Sequence, residues 1–459
     1  MDQRGGRATQ ILAAFICVGV LVLGLALPPV TLSQVSSFQT ESRSISTGLF
    51  GRLSDDALGA RALAPHHVPG RDVFPRQSTD IWARGPGRWR FDPGPGRDTE
   101  VSLAVDPNNA GRVLLAWQED ISRIWTARTE DGGRTWQVEV LRDPETIPIV
   151  TGQEGYDPTA VIGPDGTMYV LMGVTEFPGG LTLVRFDEGS WSFHPVDPTG
   201  QVHAWDAMHL AVAPDSGELY AVAQSIGHRF IGFWQSSDRG DSWSVVRFPH
   251  LENAEGATRL VQTGFQLWPR IAAGPDGLLL LVTQGFVFSN GQQTRATVSL
   301  DAGKTFEPLS LLTEEAMGGR LVGIPAAFDG STAVAAYVRD LDITVLRANR
   351  GTGPWDMVRF PREDTGYATD WSTVAAHKGT VWILHTEQGE GPAWRALLTR
   401  IRRGSVTTAT LAAVPTGRPR GDSAGDEYGG LAIARDGCVW AAWSEPEDNL
   451  PVIYVAKRC

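Results

Sequence analysis

The chain has no run of lysine or arginine, and its 40 Lys+Arg against 52 Asp+Glu leave a net charge of -12, which disfavours nonspecific nucleic-acid binding. It contains no His-Glu-x-x-His, no Cys-x-x-Cys and no Gly-x-Ser-x-Gly, so zinc-protease and serine-hydrolase chemistry find no support in it. Gly303-Lys304-Thr305 imitates the end of a phosphate loop, but Val298 stands where that loop requires its first glycine. His203 and His209 do not make a metal pair. No cofactor or metal is expected, Ca²⁺ being the one ion that Asp98, Glu100 and Asp120 could gather with oxygen ligands. Helical periodicity is missing from residue 88 onward.

What the chain has in quantity is 16 Trp, 52 Gly and 29 Pro, the turn-rich and aromatic-rich composition of an all-β repeat protein. Short apolar runs at 101–105, 159–162, 210–213, 271–273, 325–328, 374–376 and 431–434 each lead into a turn glycine: Gly111, Gly166, Gly217, Gly277, Gly330, Gly379 and Gly437. A repeat of roughly 50 residues matches one four-stranded propeller blade. In the first repeat the strands read as 101–106, 112–118, 123–129 and 136–141. The last repeat supplies only three, at 431–435, 438–443 and 452–458, while 88–91 looks like an isolated fourth strand ahead of the first repeat. The expectation is therefore a seven-bladed β-propeller over 88–459, closed by an N-terminal strand, with six blades as the runner-up.

Arg4 and Arg7 precede an apolar stretch at 11–27, followed by Pro28 and Pro29, which is the layout of a secretory signal with Gly24-Leu25-Ala26 as its cleavage site. Seventeen apolar residues also reach the short edge of a bilayer span, so 1–30 reads as a signal peptide or a membrane anchor. Either reading places the ring outside the cytoplasm, secreted or extracytoplasmic, with membrane contact only through an uncleaved N-terminal segment. Residues 31–87, rich in Ser, Arg, Gly and Pro, read as a flexible linker or stalk. Export gives the two cysteines beyond the leader an oxidising setting. Cys438 and Cys459 would face each other across a hairpin whose midpoint falls in the 445–450 loop, which favours a disulfide over two free thiols.

Three segments share the pattern Ser/Thr-x-Asp-x-Gly-x-Ser/Thr-aromatic: 129–136 around Asp131, 236–243 around Asp238, and 299–306 around Asp301. The Asp can bond backbone N–H groups ahead of it, the Gly takes positive φ, and the aromatic packs back under the turn. Eroded versions stand at 187–191 and 349–355. The pattern resembles the Asp box, or bacterial neuraminidase repeat, of the sialidase-like superfamily. That resemblance implies a propeller fold, although sialidases usually have six blades. Asp boxes lie in turns away from the sialidase active site, so the turns themselves imply structure.

The same resemblance implies three arginines on a substrate carboxylate, a Tyr nucleophile paired with a Glu, and an Asp acid/base. Glu427-Tyr428-Gly429-Gly430 looks like the Tyr-bearing segment late in that family, which makes Tyr428, Glu427 and Asp157 the candidate catalytic residues. Arg97, Arg270 and Arg320 are the candidate arginines, although Pro269-Arg270-Ile271-Ala272 and Gly323-Ile324-Pro325 each keep only part of the family's Arg-Ile-Pro. Trp205, Trp268, Asp370 and Trp371 stand where strands enter the ring, and aromatics alternating with charges suit a carbohydrate. The expected partner is a glycan or glycoconjugate; the rival is a noncatalytic propeller that binds a glycan or an extracytoplasmic protein at the cell surface.

Overall fold

A computed structural model of the chain describes residues 87–92, 98–119, 123–141, 155–174, 180–197, 205–225, 231–246, 268–287, 291–308, 310–315, 324–339, 342–361, 367–389, 394–414, 429–447 and 450–459. The expected leader and most of the linker lie outside these residues. All described residues belong to one compact unit, and every regular element among them is a β-strand. They form seven four-stranded antiparallel sheets, the blades of a seven-bladed propeller. Six blades are meanders of consecutive strands, named a to d from the innermost strand outward. The seventh holds Gly430–Ile433, Val439–Glu447 and Leu450–Arg458, and its fourth strand is the N-terminal Arg88–Phe91. Arg88 pairs with Ala456 and Phe91 with Ile453.

The alternation of each strand explains the packing. Successive side chains point to opposite faces, so each blade offers one apolar face to the blade before it and one to the blade after. The seam between blades 7 and 1 carries the heaviest aromatic load. Trp89 stacks on Trp440 at 5.3 Å, Trp136 meets Trp89 edge-on at 5.7 Å, and Phe91 lies 5.2 Å from Trp136. Arg88 reaches across the sheet to Glu445, its guanidinium 4.2 Å above the Tyr454 ring. Cys438 and Cys459 are bonded to each other at the lower end of the same blade, just before strand b and just after strand c.

The turns between strands a and b lie at the same end of each sheet as the turns between c and d. In blade 1 the Gly132 N–H donates to Gly111 O at 2.8 Å, and in blade 4 the Ala302 N–H donates to Gly277 O at 2.9 Å. This is the lower face. The three Ser/Thr-x-Asp-x-Gly turns all lie here and share one hydrogen-bond set. Asp131 Oδ1 accepts the Thr135 N–H at 2.9 Å and the Thr129 hydroxyl at 2.8 Å, and Thr129 Oγ1 accepts the Gly133 N–H at 3.0 Å. Asp238 and Asp301 repeat these bonds with Ser236, Gly240 and Ser242 and with Ser299, Gly303 and Thr305. Gly133, Gly240 and Gly303 take φ of 91°, 90° and 83°, where a side chain would be strained.

Candidate functional site

The upper ends of the innermost strands carry a repeated irregularity. Strand a shifts register between Thr99 and Ser102 in blade 1, Tyr156 and Thr159 in blade 2, Asp206 and His209 in blade 3, and Thr369 and Ser372 in blade 6. A bulge of this kind leaves extra residues unpaired and re-aims their side chains. In the first three blades the bulge holds Glu100, Asp157 and Ala207 at φ of 53°, 50° and 50°. None is glycine, and holding a non-glycine residue in the left-handed region costs on the order of 1–3 kcal/mol, so the surroundings must enforce it.

Hydrogen bonds between blades supply that enforcement. The Asp157 N–H donates to Glu100 Oε2 at 3.0 Å and to Gln118 Oε1 at 3.1 Å, both from blade 1. Asp157 Oδ2 in turn accepts the Ala207 N–H of blade 3 at 2.8 Å, and Asp206 Oδ1 shares that donor at 2.8 Å. The Tyr156 hydroxyl donates to Trp205 O at 2.6 Å. Just below the shift a second tier repeats the stitch. Ser102 Oγ accepts the Ala160 N–H at 2.9 Å, and the Thr159 hydroxyl donates to Met208 O at 3.0 Å.

These contacts decide protonation. Asp157 is 7% exposed, and burial pushes its carboxyl well above the ordinary carboxylate range, helped by the negative charges of Glu100 and Asp206 and by hydrogen bonds to both. A carboxyl group so placed keeps its proton to higher pH than an ordinary one. Burial also raises the Tyr156 phenol, with Asp157 and Asp206 adding to the effect. His209 goes the other way: burial first, then the Arg270 charge, pull it down to about 3, so its ring is neutral.

The upper ends of strand b add buried carboxylates on blades 6 and 1 and a half-buried one on blade 7. Glu119 accepts the Trp125 indole N–H at 2.7 Å, Glu387 pairs with Arg395 at 2.6 Å, and Glu445 accepts the Trp443 indole N–H at 3.3 Å. In blade 6, Thr399 Oγ1 lies 3.2 Å from His385 Nε2, and His385 Nδ1 lies 3.2 Å from Glu387 Oε1. Hydroxyl, imidazole and carboxylate in that order are what nucleophilic catalysis uses. Thr399 and His385 are 0% and 1% exposed, however, so no substrate reaches them and the chain of bonds serves the interior of the blade.

Of the residues singled out in the sequence, Tyr428, Glu427, Arg97 and Arg320 lie outside the described residues. Asp157 sits at the centre of the carboxyl cluster. Arg270 opens strand a of blade 4, is 7% exposed, and donates from Nη1 to Pro269 O at 3.2 Å. Trp205 and Trp371 are 3% and 2% exposed and fill the seams between blades 2 and 3 and between blades 6 and 7, while Trp268 is 9% exposed. Asp370 falls within the register shift of blade 6. Among the described residues no group of three His, Cys, Asp or Glu is arranged to hold a metal ion, and Asp120 lies outside them. No helix of the described residues is long and apolar enough to cross a membrane. Gln118 on strand b of blade 1 and Gln224 on strand b of blade 3 escaped the sequence reading; their shared signal is a glutamine five residues after the first residue of a buried strand.

No protein-family profile matches the chain, and no curated protein matches it in sequence. Solved structures do match in fold. A polysaccharide lyase described as an ulvan lyase of a new family is 12% identical, with 79% of this chain covering 96% of that one at a TM-score of 0.50. A leech intramolecular trans-sialidase is 12% identical over 72% of this chain and 68% of its own, at a TM-score of 0.45. A Trypanosoma rangeli sialidase is 13% identical over 73% of this chain and 58% of its own, at a TM-score of 0.42. At such identities the likeness is one of fold.

Proposed function

We propose that this protein is exported and takes a glycan at the upper mouth of the ring, where it cleaves a glycosidic bond, with terminal sialic-acid-type or related glycosides as the substrate class to be tried first. The observation that carries the reading is Asp157. Glycoside cleavage needs one carboxyl group that keeps its proton at working pH and a nearby anion that does not. A buried Asp157 between Glu100 and Asp206 supplies that division within one cluster. The lyase that shares this fold at a TM-score of 0.50 is by its description glycan-directed, which is consistent with a sugar at such a mouth. In this reading Asp157 is the acid, Tyr428 with Glu427 the nucleophile pair implied by the sialidase resemblance, and Arg97, Arg270 and Arg320 the carboxylate clamp.

A specific observation favours a second reading, a noncatalytic glycan- or protein-binding propeller at the cell surface. Asp157 already accepts the Ala207 N–H, so its carboxyl also holds two blades together. The two readings separate on a panel of sialosides and acidic polysaccharides. The catalytic one expects turnover by the intact protein, lost by at least a hundredfold in Tyr428→Phe and in Asp157→Asn with the melting temperature retained. Glycan binding with no turnover on any member of the panel leaves the binding propeller.

A further inference from the structure

Gln118 and Gln224 occupy the same place in two blades. Each is the strand-b partner of the last strand-a residue before the register shift, Thr99 in blade 1 and Asp206 in blade 3. In blade 1 the Gln118 Oε1 accepts the Asp157 N–H of the following blade at 3.1 Å. In blade 3 the Gln224 side chain is just as buried, at 7% exposed, and its Oε1 accepts no hydrogen bond. The stitch that closes the seam between blades 1 and 2 is open between blades 3 and 4.

A second acceptor shares that face. His209 pairs with Val222, and Gln224 lies two residues further along the same strand, so both side chains leave the sheet on the side where Val222 packs against Ile271, Leu279 and Leu281 of blade 4. Nδ1 of the His209 ring has no partner either, and burial with the Arg270 charge keeps the ring neutral. A neutral ring carries its proton on one nitrogen and offers the other as an acceptor. Buried acceptors left without a donor are costly, and proteins keep them where a ligand or a water supplies the missing hydrogen. Arg270 begins strand a of blade 4 beside this face, and Trp268 stands two residues before it.

We infer that the top of the seam between blades 3 and 4 is a hydroxyl-recognition subsite, in which Gln224 Oε1 and His209 Nδ1 accept hydrogen bonds from the hydroxyl groups of a sugar residue lying beside Trp268. The inference rests on the reading of the mouth as a glycan site and names which part of the sugar meets which blade. Two acceptors do not bind a carboxylate or sulfate, so they take a hydroxyl-bearing edge of the ligand, and an acidic group falls to the arginines of the mouth. Both acceptor atoms are closed to solvent, so filling the subsite requires the Gln224 side chain, one residue from the upper end of its strand, to turn outward.

The experiment uses the purified chain with ¹⁵N-labelled histidine. Methyl α-glucoside, methyl α-galactoside and a methyl α-sialoside are titrated while the His209 Nδ1 resonance is followed, with inorganic sulfate as the anionic probe. A saturable shift is expected with at least one glycoside and none with sulfate, and the apparent affinity should fall at least tenfold in Gln224→Met. Melting provides the second arm. Gln118→Met should lower the melting temperature because it strips a partner from the Asp157 N–H, whereas Gln224→Met should leave it unchanged or raise it. The subsite is overturned if no glycoside moves the resonance, even in a protein that turns over glycans, or if Gln224→Met melts as low as Gln118→Met. A glycoside-dependent shift without turnover keeps the subsite and removes only the catalytic reading.

Discussion

The lower and upper ends of the same blades treat aspartate in opposite ways. At the lower end the Thr135 N–H and hydroxyl hold Asp131 down to about 2, and the Ser242 hydroxyl and N–H do the same for Asp238. Asp301 stays below its ordinary value through Thr305 even though burial opposes this. At the upper end Asp157 meets burial and two other carboxyl groups and rises. Positive φ does not separate the two ends, since the lower turns hold Arg239 and Ala302 at 63° and 60° beside their glycines, as the upper bulges hold Glu100, Asp157 and Ala207. The difference is one of charge. An aspartate that only has to hold a turn is kept ionised by the hydrogen bonds that it accepts. A mouth that keeps a protonated acid buried against such a cost is where function is to be sought.

The largest effect that can test this division comes from the seam between blades 7 and 1. Deleting residues 87–92 removes the fourth strand of blade 7 together with Trp89, Phe91 and the Arg88 contact to Glu445. The truncated chain is expected to lose cooperative melting, as scanning calorimetry would show; a variant that melts where the intact protein does contradicts the idea that this strand closes the ring. Next comes Trp136→Ala, which empties the space between Trp89, Phe91 and Trp440. It should cost about 3 kcal/mol, the lower end of the range for Trp→Ala because Trp136 is only partly buried. Denaturant titration measures this, and glycan binding at the mouth should not change. Reducing the Cys438–Cys459 bond, which spans 21 residues, should cost on the order of 3 kcal/mol in the chain-entropy view, read as a lower denaturation midpoint.

Asp131→Ala and Asp157→Asn place one substitution at each end. Asp131→Ala removes the bonds that its carboxylate accepts from Thr129 and Thr135, and the melting temperature should drop by a few degrees while mouth chemistry stays intact. Asp157→Asn keeps an acceptor for the Ala207 N–H and loses the titrating proton. Its melting temperature near neutral pH should be unchanged or higher, and any turnover should vanish. Equal loss of activity in both variants would erase the distinction between a structural lower face and a functional upper one.

The chain announces some of this and withholds the rest for physical reasons. The blade repeat is legible because each blade ends strand a in a glycine turn, and local backbone needs are written in local residue types. Asp157 stands out in sequence only as a charged residue entering a strand. That its N–H meets Glu100 and Gln118 depends on the packing of one blade on the next, 57 and 39 residues away. The bulges are silent because Glu, Asp and Ala occupy the position that glycine would have marked. Gln118 and Gln224 look alike in sequence and differ only in what the neighbouring blade presents.

The smallest expected effect is the shape of the stability profile against pH, and it bears most directly on the two aspartate environments. Asp131 and Asp238 have folded values lowered to about 2, below their unfolded value near 4, so the stability they contribute is present above pH 4 and is lost as the pH falls through about 2. Asp157 has a folded value raised above its unfolded one, so its contribution is complete below pH 4 and is lost as the pH rises through the folded value. The lower turns therefore govern the acid limb and the mouth governs a decline on the alkaline side, where ionising Asp157 would bring three negative charges together under little water. Melting temperatures recorded from pH 2 to pH 9 should show both limbs in the intact protein. Asp157→Asn should flatten the alkaline limb alone, and Asp131→Asn should weaken the acid limb alone. An alkaline limb that persists unchanged in Asp157→Asn would mean that the carboxyl ionises at its ordinary pH, and the mouth would then lack the proton that its proposed chemistry needs.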